Sequence, residues 1–152
     1  MVAMQWQGGV LSLLDQGAYP QEEKWLTCNT WEETAQALAT PAVQEEKVAA
    51  IAAAYGYAQA AIAAQDKLGT DAFQAALDQA KAQLLASRPG SLDVAAALAF
   101  VETPPEAYTK NADKLTAILA TAVTFDRQQV VADRNLCRCA LKKIIFYPVS
   151  EC

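Results

Sequence analysis

The chain has 152 residues, 53% hydrophobic and 19% charged, with 6 Gly and 6 Pro, which are the proportions of one compact domain and not of a disordered tail or repeat array. It has no His, which excludes Ser-His and Cys-His nucleophiles, the HExxH zinc site and any imidazole base. A net charge of −5 without a long Lys/Arg run argues against a nucleic-acid partner, and the 33 Ala residues favour closely packed helices.

In chain order, residues 4–7 alternate apolar and polar, Gly8-Gly9 is a hairpin signal and residues 10–14 form a partner strand. After the turn at Gly17-Ala18-Tyr19-Pro20, residues 23–28 supply a third strand, so two of the three Trp residues, Trp6 and Trp25, fall in a small meander. Thr30-Trp31-Glu32-Glu33 is a capping box that predicts a helix over 30–39. Thr40-Pro41 ends it and opens another over 42–64, with Val48, Ile51, Tyr55, Ala58 and Ile62 on a buried face. Gly56 inside that helix costs about 1 kcal/mol relative to Ala, which is accepted where another backbone packs close.

Gly69-Thr70-Asp71 is a stop and cap, followed by an amphipathic helix with Phe73, Leu77, Ala80, Leu84 and Leu85, ending near Ser87. Pro89 holds Arg88 out of the helical region, Gly90 takes a left-handed turn, and Ser91 caps a helix over 92–101. Thr103-Pro104-Pro105-Glu106 then starts a long helix containing Leu115, Ile118, Leu119, Val123, Val130 and Val131. Residues 144–149 are β-branched and aromatic, suiting a short strand or extended tail. The expected fold is α+β, mainly α, in a single domain over 1–152. An antiparallel three-stranded meander (1–29) precedes a bundle of about five helices (30–146) and a tail (147–152).

No apolar run reaches the roughly 18 residues needed to span a membrane, and the N-terminus lacks the sections of a signal peptide, so a cytoplasmic protein is expected. Cys28, Cys137, Cys139 and Cys152 then read as free thiols. Cys137, Cys139 and Cys152 crowd the C-terminus as a candidate thiol cluster, but Cys-x-Cys without His is not a familiar zinc spacing, and neither metal nor cofactor is expected. Arg134, Arg138, Lys142 and Lys143 fit a solvated helix face better than a phosphate contact.

Several strings in register carry a family resemblance: Met4-Gln5-Trp6, Leu13-Leu14-Asp15-Gln16, Leu26-Thr27-Cys28, Thr30-Trp31-Glu32-Glu33, Ala52-Ala53-Ala54-Tyr55-Gly56 and Ser87-Arg88-Pro89. Together they resemble the N-terminal domain of methylthioribose-1-phosphate isomerases, a family that also includes ribose-1,5-bisphosphate isomerase and regulatory subunits of the translation initiation exchange factor. The resemblance implies a small sheet followed by helices, and a second, Rossmann-like catalytic domain for which this sequence has no counterpart. A Thr-His-Cys-Asn string opens that domain in the family, and Cys152 stands about where it would fall, without the Asp partner needed for catalysis. No residue here is therefore expected to be catalytic.

The strings that face substrate in the family are altered. Where the isomerases carry Arg-Gly-Ala-Pro-Ala-Ile-Gly, this chain reads Gln44-Glu45-Glu46-Lys47-Val48-Ala49-Ala50, placing two carboxylates against an expected dianion and replacing the glycine loop with plain helix. Arg-Pro-Thr-Ala-Val-Asn-Leu becomes Arg88-Pro89-Gly90-Ser91-Leu92-Asp93-Val94, and the string with the family His becomes Asp133-Arg134-Asn135-Leu136-Cys137-Arg138-Cys139-Ala140. The first expectation is a non-catalytic structural or interaction subunit whose partner is another protein chain or a second copy. Two alternatives stand beside it: a split isomerase in which Arg88 still grips phosphate, and a small-ligand module using Gln44, Glu45, Glu46 and Arg88 in the old cleft. Solvated charge for Glu45 and Glu46, and a loop-bonding role for Arg88, are the plain structural readings.

Overall fold

The computed structural model describes residues 4–103 and 114–145, with side chains as far as residue 130. The meander forms as expected: β1 (Met4–Gln7), β2 (Val10–Leu14) and β3 (Trp25–Cys28) lie side by side in antiparallel order. Gln7 pairs with Val10 across a two-residue turn whose glycines both have positive φ, +59° at Gly8 and +86° at Gly9, the hairpin geometry that favours Gly-Gly. Period-two alternation sends Leu11 and Leu13 of β2 into the core.

The helices are α1 (Trp31–Leu38), α2 (Glu46–Ala63), α3 (Asp71–Ser87), α4 (Leu92–Glu102) and α5 (Lys114–Ile145), with a short 3-10 turn at Gln65–Lys67. At the start of α1, Glu33 N–H donates to Thr30 Oγ1 (3.3 Å), and Glu33 Oε2 accepts from Asn29 N–H (2.6 Å), one residue earlier than a standard capping box. Thr70 stands at the N-cap of α3 without capping it; its hydroxyl donates to Lys67 O instead (2.6 Å). Ile144 and Ile145 continue α5 rather than leaving it. The expected helix start at 103–106 and the rest of the expected strand or tail lie largely outside the described residues.

α2 is the hub, packed on α1, α3, α4, α5 and the sheet. A single buried face was expected, but every residue from Val48 to Ala61 is buried. Small Ala side chains, and the absence of one at Gly56, let neighbours close around the whole circumference, so no polar face remains. At Gly56 the packing leaves no room for a side chain without a shift: a Cβ there would lie 3.1 Å from both Leu84 Cδ2 of α3 and Thr34 Cγ2 of α1, so side chains make the close approach, not the backbone expected. The helix starts at Glu46, four residues later than expected. Gln16 N–H donates to Ala42 O (2.8 Å), while Gln16 Oε1 accepts from Gln44 N–H (2.7 Å) and Glu45 N–H (3.1 Å), holding the preceding turn and loop out of the helix.

One polar side chain crosses this core. Gln59 is buried in α2; its Nε2 donates to Gly9 O (3.1 Å) and Cys28 O (2.8 Å), and its Oε1 accepts from Thr34 Oγ1 (2.6 Å). A single amide thus joins the hairpin turn, the end of β3, α1 and α2. Tyr55, on the same helix, stacks on Trp6 (4.6 Å between centroids) and donates from Oη to Asp126 Oδ2 of α5 (2.6 Å). Trp6, Trp25 and Trp31 are half-buried, edging the core and not filling it. Lys81 of α3 pairs with Glu102 of α4 at 2.6 Å.

Gln59→Leu removes the donor to the buried Cys28 O and the part-buried Gly9 O and leaves the Thr34 hydroxyl only its weaker bond to Thr30 O (3.3 Å), so urea unfolding should show a loss of about 3 kcal/mol. Tyr57 Oη is buried without a hydrogen-bond partner among the described residues. Tyr57→Phe should therefore leave the unfolding free energy measured in urea unchanged or raise it by up to about 1 kcal/mol.

Candidate functional site

The α1–α2 connection and the α3–α4 loop face each other across an open cleft of about 860 Å³, whose lining includes Leu38, Pro41, Gln44, Glu46, Arg88 and Ser91. The loop conformation follows from its residues. Arg88 leaves the helix at φ −133°, ψ 75°, Gly90 turns at φ +78°, and Ser91 restarts a helix by accepting Val94 N–H on its Oγ (3.2 Å).

Arg88 points back across the cleft, its side chain 16% exposed. Its Nη1 donates to Val43 O (2.6 Å) and more weakly to Leu38 O (3.4 Å), clamping the chain between α1 and α2. Its Nη2 donates to Glu46 Oε1 (2.6 Å), and Ser91 Oγ donates to Glu46 Oε2. Each oxygen of that carboxylate therefore has a donor. The Ser91 hydroxyl first, and the Arg88 guanidinium second, hold the Glu46 carboxyl below its ordinary pKa.

Of the candidate residues, Gln44, Glu46 and Arg88 line the cleft together. Glu45 does not join them; it is the N-cap position of α2 and accepts Gln16 Nε2 on Oε1 (3.0 Å). The expected plain helix through 44–50 begins only at Glu46, because Gln16 occupies the two preceding N–H groups. Cys28 is a buried free thiol whose pKa is raised by burial, with a Thr34 hydrogen bond opposing. Cys137 and Cys139 fall on the backbone of α5, but their side chains, like Cys152, lie outside the described residues. Two participants were not singled out as site residues from sequence: Ser91, read only as a cap, and Gln16, whose partners are 28 and 29 residues away.

No family profile matches the chain. Curated relatives do. A methylthioribose-1-phosphate isomerase from Alkalilimnicola ehrlichii is 34% identical over 134 residues, covering 88% of this chain and 38% of its own length. One from Marinobacter nauticus is 32% identical over 141 residues, covering 93% of this chain and 39% of its own. The chain is a relative of the methylthioribose-1-phosphate isomerases. It spans about two fifths of the length of those curated proteins. The fold agrees with two solved structures: translation initiation factor eIF-2B subunit delta from A. fulgidus (TM-score 0.71, 24% identity, 84% of this chain and 37% of that one) and 5-methylthioribose 1-phosphate isomerase from Pyrococcus horikoshii (0.70, 20%, 83% and 36%). Among the described residues, no helix is long and apolar enough to cross a membrane.

A carboxyl with a lowered pKa stabilises the fold above its unfolded value, and that contribution is lost as pH falls through the folded one. Wild type should thus exceed Glu46→Gln in thermal midpoint at neutral pH, with the gap closing below about pH 4.3, the ordinary glutamate value.

Proposed function

We propose that this isomerase relative acts as a non-catalytic structural or protein-interaction subunit, in which the family's N-terminal fold is retained and its cleft is withdrawn from sugar-phosphate chemistry. The observation that carries this reading is that the cleft's polar groups are spent on one another. Arg88 is shared among two backbone carbonyls and Glu46, Ser91 is shared between Glu46 and Val94, and the Gln44 backbone N–H is taken by Gln16 Oε1. A phosphate dianion needs such donors free, and here it would meet a carboxylate instead.

The apolar rim of the cleft supports a protein partner. Leu92, in the first turn of α4, is 84% exposed and borders the cleft with the exposed rings of Pro41 and Pro89. An apolar lip around a neutralised polar centre suits contact with another chain, whether a second copy or a different protein. The net charge of −5 favours a protein partner over nucleic acid.

Calorimetric titration of the chain with a pentose 1-phosphate at millimolar concentration should give no binding heat, and an aldose–ketose isomerisation assay should give no turnover. Either signal would overturn the non-catalytic reading.

A further inference from the structure

We infer that Glu46 is an intrachain ligand: its carboxylate occupies an oxyanion-binding position formed by Arg88 and Ser91 and keeps free anions out of the cleft. The inference rests on the non-catalytic reading of the cleft and names the group that enforces it.

Three features carry it. First, the donors are positioned independently of the carboxylate. Arg88 is fixed by Val43 O at 2.6 Å through a different nitrogen from the one that meets Glu46, and Ser91 is fixed by capping Val94 N–H. Removing the carboxylate therefore leaves both donors aimed at the same point. Second, they reach one oxygen each, Nη2 to Oε1 and Ser91 Oγ to Oε2, as donors binding a free carboxylate or phosphate would. Third, the point is accessible: the Glu46 side chain is 50% exposed against 16% for Arg88, and the cleft beside it is open. An ordinary surface ion pair needs none of this, since its cation is not pre-set by backbone carbonyls and its anion does not share a helix-capping hydroxyl.

The test titrates inorganic phosphate and, separately, acetate into the full chain at constant ionic strength, following binding heat and thermal midpoint. Glu46→Ala should bind at least one of the two anions about tenfold more tightly than wild type, with a midpoint that rises with anion concentration. Adding Ser91→Ala to Glu46→Ala should remove most of that gain. Glu46→Gln keeps the side-chain volume, so if Glu46→Ala does not fold, the Gln variant must show a gain of the same sign. Equal response of wild type and the Glu46 variants, or a gain insensitive to Ser91→Ala, overturns the inference. Wild-type binding of a pentose 1-phosphate would instead sink the non-catalytic reading, so the two failures are distinguishable.

Discussion

The fold depends on one buried amide. Burying Gln59 in an Ala-rich helix is tolerable only if its hydrogen-bonding groups are met, and the groups that meet them belong to three other elements. The hairpin turn must bring Gly9 O to the helix, β3 must end with Cys28 O facing it, and α1 must present Thr34. Hydrophobic burial supplies the driving force but little register, because Ala surfaces slide past one another at small cost. The directional bonds of Gln59 fix how far each element advances along α2.

The remaining packing follows from side chains that are small. The run of alanines and Gly56 let α1, α3, α4, α5 and the sheet close on α2 from all sides, with Tyr57 and Phe73 filling the core and the half-buried Trp6 stacked on Tyr55 at its edge. Tyr55 then reaches Asp126 of α5. Burial first and the Asp126 carboxylate second push its phenol well above the usual range, so it remains a donor throughout the physiological pH range.

Much of this was legible in the sequence because the signals are local. Gly8-Gly9, the Thr30–Glu33 box, and Pro89-Gly90-Ser91 each act within four residues, and each gave the expected turn or cap. Apart from Thr70, whose hydroxyl turns back to Lys67 O instead of capping α3, what failed depends on distant partners. The late start of α2 is set by Gln16, 28 residues from Gln44, and α2's burial on every side depends on how many neighbours gather round it. The site divided along the same line: Arg88 was visible through a short string, but its carbonyl partners lie 45 and 50 residues away, and no local pattern separates Glu46 in the cleft from Glu45 turned toward Gln16.

The position of Glu46 at the very first turn of α2 has a further consequence. From Val48 to Ala61 the helix is sealed, so almost any enlargement or charge would cost folding free energy, whereas Glu46 stands half in solvent with only loop neighbours. The helix therefore has a mutable end and an immutable body. A single exchange at that end can reverse the charge of the cleft without disturbing the core, so a scaffold of this kind can lose or gain anion recognition with only the contacts of that one carboxylate lost.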